Sequence, residues 1–468
     1  MKTRTGLAVV LAGALLAAAC GGGDDDDAGG GGGDGDLPSC PVDELASAAK
    51  DGPVELTFWH TMTRANEDAL KQLTEEFNGS QDEVKVKLVN NNDSNDQHEK
   101  YIAQLDTDPK GLPDLIQSQE YYVQQMADTQ SVVPVQSCID ATDDFDADDY
   151  VSRTMAYYTI DDVQWGLPFA VSEPVLLYSR SAFTKAGLDP DKPPATFDEL
   201  RSASEKLKAA GFEAGLALKL DAWHLEQMLA WQGKEFVNNG NGRSGRATEV
   251  AFDNATAVDI FTFLKGMVDD GLAVTNPAEG QDGINNLLSI GSRKTGMTID
   301  SSGTLGTIIQ VLESGQYAGT DPDVAPVPGL TSDGGVLVGG SGLYISAQSP
   351  ARQAAAWKFA QFLTTPSAQA KWAAATGFIP VRKSATSEPV LEARWKEIPG
   401  FKVAYDEVTE GAENDATAGP AIGNYKAVRD ALEKAESSMY LNDLSPEEAI
   451  DQAAKDANEA MQSYNDRL

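Results

Sequence analysis

A strand–helix–strand pattern over residues 54–88 constrains the fold more than any other feature of this sequence. The segments "VELTFWH" and "EVKVKLV" alternate apolar and polar side chains, which is the period of a β-strand. Between them, "TRANEDALKQLTEEFN" spaces its apolar residues at helical intervals. Strand, helix and strand in this order are the unit of an open, mainly parallel α/β sheet. The sequence therefore predicts the α/β class.

The same pattern returns further along the chain. "PVLLYSRSAFTKAGL" predicts a strand followed by a short helix, and "KTGMTID" and "GGVLVGGSGLYISAQ" predict later strands. Two Ser/Thr-x-x-Glu capping boxes, Thr196 to Glu199 and Ser445 to Glu448, predict helix starts. The folded part, about 430 residues, exceeds one typical core and predicts two lobes.

The N-terminal end carries export signals and a tether. Residues 1–19 combine basic residues with an apolar run that is short for a membrane span, which predicts a signal peptide. Cys20 directly after "LLAAA" resembles a bacterial lipobox, whose cysteine is lipidated; an ordinary secretory signal with an incidental cysteine is the alternative. Residues 20–39 are mostly Gly and Asp, so we expect a disordered tether. We expect an extracytoplasmic protein attached to the membrane by a lipid on Cys20.

The chain's charge and motifs exclude several function classes. A formal net charge of −36 argues against nucleic acid, which is bound through clusters of Lys and Arg. The three histidines, His60, His98 and His224, lie far apart without companion cysteines, which argues against a metal site. No nucleophile elbow, phosphate-binding loop or dinucleotide fingerprint is found. We therefore expect neither an enzyme nor a cofactor.

The remaining two cysteines predict a disulfide. With Cys20 lipidated, an exported chain most simply pairs Cys40 with Cys138, and two free thiols are the alternative. The bond would join the start of the folded part to the predicted loop "VVPVQSCID".

Several stretches resemble the extracytoplasmic solute-binding proteins of ABC importers, in the carbohydrate-binding family that includes glycerol-3-phosphate-binding proteins. They are "LTFWHTMTRANEDALKQLTEEFN", "LPFAVSEPVLLYSRSAFTKAGLDPDKPPATFDEL", "GMTIDSSGTLGTI", "GGSGLYI" and "ATGFIPV". The resemblance implies a two-lobed periplasmic-binding-protein fold that closes on its ligand about a hinge. We place lobe 1 at residues 40–168 and 335–376, and lobe 2 at residues 169–334 and 377–468. The resemblance also implies ABC permease subunits as partners. We expect the protein to be a monomer.

The resemblance and the needs of sugar binding together suggest the ligand-binding residues. Sugars and polyols are held by aromatic faces and hydrogen-bonding groups inside a cleft that closes. The candidates at strand ends and crossovers are His60, Asp96, Glu120, Ser172, Trp223, Asp300, Ser301, Ser302, Gly340 and Ser341.

Several candidates have a purely structural alternative. The alternative for Glu120 is a solvated helix start, for Ser172 a capped turn, and for the Asp300–Ser302 triplet simple capping of the next helix. Trp223 lies at helical spacing from Trp231, as core tryptophans do.

The C-terminal segment favours a neutral ligand. Glycerol-3-phosphate binders of the family carry an arginine two residues before a Gly-Asn pair, and the matching position in "TAGPAIGNYKAV" is Ala421. Lys426 is the only nearby substitute, and we expect Arg429 to face solvent. A phosphate without a paired cation would be costly to desolvate. We therefore expect a neutral sugar, oligosaccharide or polyol.

Two other functions remain open. One is binding of glycerol 3-phosphate or glycerophosphodiesters by the same fold. The other, from a different class, is a passive surface protein or adhesin that has no importer.

Overall fold

The computed structural model describes residues 37–468 except 278–283, 314, 316–319, 332–333 and 442–443. The predicted signal peptide, Cys20 and the tether up to residue 36 lie outside the described residues. No helix in the described ranges is both long and apolar enough to span a membrane.

The strands form two larger sheets and one small hairpin. The first sheet has the order β2-β1-β3-β13-β4, with β7 also paired to β13; the second has the order β10-β9-β11-β8-β12; and β5 pairs with β6. The strands are β1 Val54–His60, β2 Val84–Asn90, β3 Leu115–Gln119, β4 Val132–Val133, β5 Thr159–Ile160, β6 Val163–Gln164, β7 Leu167–Ser172, β8 Pro174–Ser179, β9 Leu216–Leu220, β10 Ala273–Pro277, β11 Met297–Ser301, β12 Pro322–Ala325 and β13 Gly339–Ser346.

Helices surround both sheets. Proline occupies the first turn at Pro350, Pro366 and Pro446, and Ser445 and Glu448 form the predicted capping box. The helices are α1 Glu44–Ala48, α2 Arg64–Ser80, α3 Ser94–Thr107, α4 Val123–Asp128, α5 Val135–Asp140, α6 Ser152–Tyr157, α7 Arg180–Ala186, α8 Phe197–Ala209, α9 Ala222–Trp231, α10 Asn238–Gly242 (a turn with left-handed backbone), α11 Ala255–Asp269, α12 Ile284–Gly291, α13 Leu305–Glu313, α14 Pro350–Leu363, α15 Pro366–Thr376, α16 Pro389–Glu397, α17 Val403–Glu410, α18 Asp415–Ala418, α19 Tyr425–Leu441 and α20 Pro446–Asn465.

The sheets are mixed, which corrects the expectation of mainly parallel pairing. The predicted unit is parallel, since β1 runs parallel to both β2 and β3. However, β13 is antiparallel to β3, β4 and β7, and β8 is antiparallel to β11 and β12. Strands β8 and β13 each follow a crossing of the chain between the sheets. Each of them therefore enters its sheet from the end opposite to that of its neighbours.

Among the described residues, two large hydrophobic cores form the interiors of the lobes, a small third cluster lies around Leu391, and β8 separates the two large cores. Successive side chains of a strand point to opposite faces. Val175 and Leu177 therefore pack in the core that contains the first sheet, while Leu176 and Tyr178 pack in the core of the second sheet. The lobes thus share a continuous apolar boundary behind the cleft.

The chain crosses between the sheets more than once. It leaves the first sheet at Ser172, the end of β7, and enters the second at Pro174, so that Glu173 is the crossover residue. It returns to the first sheet between β12 and β13. Helices α19 and α20 then pack in the core of the second sheet.

Cys40 and Cys138 form a disulfide bond. Cys138 lies on the short helix α5, so the predicted loop "VVPVQSCID" is largely helical. The bond fixes the first described residues against the body of the first lobe.

Candidate ligand-binding cleft

A cavity of about 800 Å³ lies between the lobes, at the ends of several strands. In open α/β sheets, the crevice outside the carboxyl ends of the strands is the usual place for a ligand. The lining residues are Thr61, Thr63, Asn92, Asp93, Ser94, Asn95, Gln119, Glu120, Tyr121, Ser172, Lys219, Leu220, Asp221, Trp223, Ser301, Gly340, Phe378, Lys426, Arg429, Asp430, Glu433 and Ser437.

Five of the predicted ligand-binding residues line this cavity. Glu120 follows β3, Ser172 ends β7, Ser301 ends β11, and Gly340 lies near the start of β13. Trp223 lies in the first turn of α9. They come from both lobes, and we propose that a single ligand in the cavity would contact them.

Asp96 and His60 lie outside the cavity lining. Asp96 is exposed in the first turn of α3, and the cap of that helix is Asp93, which accepts hydrogen bonds from the N–H groups of Asn95 and Asp96. His60 is only 1% exposed, and its Nδ1 accepts a hydrogen bond from the Met62 N–H. Burial lowers the pKa of His60 to about 4, so its ring is neutral at neutral pH. The residues that follow it, such as Thr61, reach the cavity instead.

The other three candidates are buried behind the cavity wall. The Ser341 hydroxyl accepts a hydrogen bond from the Gln117 amide, at 2.7 Å. The Ser302 N–H donates to the carbonyl of Glu173, at 2.8 Å, and therefore helps to hold the crossover. Asp300 is 4% exposed, and burial raises its pKa to about 6.

Arg429 lies in the cleft and does not face solvent, which corrects the sequence-based expectation. Its Nε and Nη2 donate to the two carboxylate oxygens of Glu226 at 2.8 and 2.7 Å, and Nη2 also donates to Glu120 at 3.1 Å. The guanidinium lies over the rings of Tyr121 and Tyr425, 4.3 and 4.8 Å from their centres. These contacts keep the residue 8% exposed.

A signal for this placement exists in the sequence. Tyr425, Val428 and Leu432 form the buried stripe of α19 at helical spacing, and Arg429 adjoins that stripe. Ala421, by contrast, is buried away from the cavity lining, and its N–H donates to the Asn241 carbonyl at 2.9 Å.

The two lysines of the cleft are also paired with carboxylates. Lys219 Nζ lies 2.9 Å from Asp221 Oδ2, and Lys426 Nζ lies 2.5 Å from Asp430 Oδ1. Burial alone would raise the pKa of Asp221, yet the Lys219 charge holds this pKa well below its usual range.

Carboxylates outnumber cations along the lining. Glu433 adds an acidic group to the lining beside Asp221. Glu436 does not line the cavity but is buried close to both Asp221 and Glu433. Burial, together with the charge of Asp221, raises the pKa of Glu433 to about 7 and that of Glu436 to about 8. Burial likewise raises the pKa of Glu120 to about 7, against the opposing effect of Arg429.

Trp223 offers an aromatic surface. Its backbone N–H donates to Asp221, which caps α9. The ring contacts β13 so closely that a Cβ added at Gly339 would lie 2.4 Å from Trp223 Cζ2. Its indole Nε1 has no hydrogen-bond partner within the described part of the chain. The Nε1 atom itself is buried against β13, so the part of Trp223 that reaches the cavity is its ring.

Comparisons with known proteins agree with this architecture. A family model described as bacterial extracellular solute-binding protein matches residues 72–402. The sn-glycerol-3-phosphate-binding periplasmic protein UgpB of Salmonella paratyphi A is 27% identical over 418 residues, covering 87% of this chain and 93% of that protein. UgpB of Pectobacterium atrosepticum is 26% identical over 436 residues, covering 91% and 95%.

Solved structures share the fold. The GacH receptor of Streptomyces glaucescens, solved unliganded and with acarbose, has a TM-score of 0.72 at 22% identity and covers 88% of this chain and 99% of its own. UgpB of Mycobacterium tuberculosis in complex with glycerophosphocholine has a TM-score of 0.72 at 20% identity and covers 89% and 99%. At this identity the likeness establishes the two-lobed fold.

Proposed function

This chain belongs to the bacterial extracellular solute-binding protein family, and on that premise we propose that it captures a neutral sugar, oligosaccharide or polyol between its lobes. The captured solute is delivered to the permease of an ABC importer. The protein itself carries out no reaction on the solute.

The observation that carries the choice of a neutral ligand is the pairing of every cation along the described lining. Lys219, Lys426 and Arg429 each bond to a carboxylate. The lining holds three cations against five carboxylates, which are Asp93, Glu120, Asp221, Asp430 and Glu433. An added phosphate dianion would find each of these cations already bonded, in a partly desolvated site.

Hydroxyl groups suit the same lining. A hydroxyl is a donor as well as an acceptor, so it can donate to a carboxylate such as Asp93. The rings of Trp223, Tyr121 and Phe378 offer apolar faces for the C–H surface of a sugar. A volume of about 800 Å³ lies in the range of small-molecule sites and is large enough for an oligosaccharide.

A glycerophosphodiester is the second candidate, because three cations do line the cleft. A diester carries one negative charge and is less repelled than a dianion. The names of the UgpB relatives also point to glycerol 3-phosphate, and the M. tuberculosis protein was solved with glycerophosphocholine.

A thermal-shift panel separates these candidates. A cleft ligand at one hundred times its Kd stabilises the protein by about 2.7 kcal/mol. We expect stabilisation by at least one neutral sugar or polyol and none by sn-glycerol 3-phosphate. Stabilisation by glycerophosphodiesters alone would favour the second candidate, and stabilisation by neither class would favour a passive surface protein.

We also propose that a lipid on Cys20 anchors the protein outside the cytoplasmic membrane. The Gly/Asp tether would keep the lobes near the permease while they close and open. Mass spectrometry of the N-terminal peptide tests the anchor, and Cys20→Ser should release the protein from membranes. Membrane-free wild-type protein would contradict it.

A further inference from the structure

The partners of Arg429 come from both lobes. Glu226 lies on α9 of the second lobe, as Arg429 does on α19 of the same lobe, and its side chain is fully buried. Glu120 follows β3 of the first lobe, with a side chain 4% exposed. The contact with Glu226 therefore persists when the lobes separate, whereas the contact with Glu120 requires them to be together.

Neither bidentate edge of this guanidinium keeps both of its nitrogens free, because Nε and Nη2 are bonded and Nη1 is the nitrogen without a partner among the described contacts. An arginine binds a phosphate bidentately through Nε and Nη2 or through Nη1 and Nη2. Glu226 occupies the first of these edges with both of its carboxylate oxygens. Glu120 accepts from Nη2 as well, so the second edge is also engaged when the lobes are together.

We infer that Glu226 and Glu120 are specificity-determining residues, which bind Arg429 and so prevent this cleft from holding a phosphate group. Glu226 does so from the same lobe, and Glu120 adds a second carboxyl partner when the lobes are together. A phosphorylated ligand would have to displace a buried carboxylate that has no other cation nearby in the described contacts. This inference rests on the proposed function and deepens it, because it names the residues that select against anionic solutes.

The test is calorimetry with sn-glycerol 3-phosphate on charge-removing variants. Glu226→Gln keeps the size of the side chain but frees the guanidinium charge, and Glu120→Gln does the same from the other lobe. We expect each to raise the affinity for sn-glycerol 3-phosphate at least tenfold over the unmodified protein.

Glu433→Gln is the matched control. It removes the same charge from the cavity lining without touching the Arg429 bonds, since Glu433 accepts instead from the Ala222 N–H. We expect a gain of less than threefold from this variant. An equal gain from all three variants would show a general charge effect and overturn the inference.

The remaining outcomes are also decisive. If Glu226→Gln fails to fold, Glu120→Gln gives the answer, because Arg429 keeps its Glu226 partner in that variant. Folded variants with no gain overturn the inference while leaving the neutral-ligand proposal intact. Tight binding of sn-glycerol 3-phosphate by the unmodified protein instead contradicts the proposed function itself.

Discussion

An ion pair between the lobes, Arg246 with Asp128, should control how readily they separate. Asp128, at the end of α4 in the first lobe, accepts hydrogen bonds from both terminal nitrogens of Arg246, at 2.6 and 3.0 Å. Tyr464 on α20 donates a further bond to it, at 2.9 Å. Arg246 and Tyr464 both belong to the second lobe. We predict that Arg246→Met shifts the protein toward a more open arrangement.

The exposed fractions of the two side chains set the magnitude. A buried hydrogen bond to a charged group contributes about 1.5–3 kcal/mol, whereas an exposed ion pair contributes about 0.2–1 kcal/mol. Asp128 is 9% exposed and Arg246 is 37% exposed, so the pair lies between these limits at about 1–2 kcal/mol. Since about 1.4 kcal/mol corresponds to a tenfold change, ligand affinity should fall by about five- to thirtyfold.

The assay combines calorimetry with small-angle scattering. The ligand-free Arg246→Met protein should have a larger radius of gyration than the unmodified protein. Arg201→Met is the control, because Arg201 pairs with Asp270 inside the second lobe at 2.6 Å. That variant should leave both radius and affinity unchanged. If Arg246→Met lowers stability without altering radius or affinity, the pair has no role in closure.

Three further predictions concern the cleft, pH and the disulfide. Trp223→Ala should weaken sugar binding by about 1–3 kcal/mol by calorimetry, with an unchanged circular dichroism spectrum; an unfolded variant would make Trp223 a core residue. Burial raises the pKa of Glu436 to about 8 in the folded state. The free energy of unfolding should therefore be highest at acidic pH and fall by at most about 5 kcal/mol as the pH rises from about 4.5 to about 8. Glu436→Gln should lessen this loss in urea unfolding at pH 5 and pH 9, and an identical profile would refute it. Replacing Cys40 and Cys138 by Ser should lower the free energy of unfolding by about 2–5 kcal/mol, and dithiothreitol should not destabilise that variant further.

The sequence predicts the elements of the fold better than their pairing. Residues 54–90 form the expected strand, helix and strand because their apolar spacing matches those structures. Proline and the Ser445 capping box mark helix starts because they act within one turn. The antiparallel placement of β13 depends on a crossing of the chain, which local spacing does not encode.

The site was predictable where a residue directly ends a strand. Glu120, Ser172 and Ser301 reach the cavity for this reason. His60 is the exception: it ends β1, but its side chain is buried in the core, and the next residue, Thr61, lines the cavity instead. The apolar stripe of α19 indicates that Arg429 lies beside a buried face, but it does not indicate which residues Arg429 meets there.

The C-terminal segment around Ala421 and Arg429 favours a neutral ligand for a different reason in the structure than in the sequence. Ala421 is buried away from the cavity lining, whereas Arg429, expected to face solvent, lies in it. The folded structure shows that Glu226 and Glu120 already bind Arg429. Long-range pairs of this kind join residues far apart in the chain, and no local pattern predicts them.

Small-angle scattering during a titration with the sugar or polyol that gives the largest thermal shift tests the central claim most directly. We expect the radius of gyration to fall as the ligand saturates a single site, because both lobes must engage it. The same titration with sn-glycerol 3-phosphate should leave the radius unchanged. Compaction by sn-glycerol 3-phosphate, with no compaction by any neutral sugar or polyol, would refute capture of a neutral solute between the lobes.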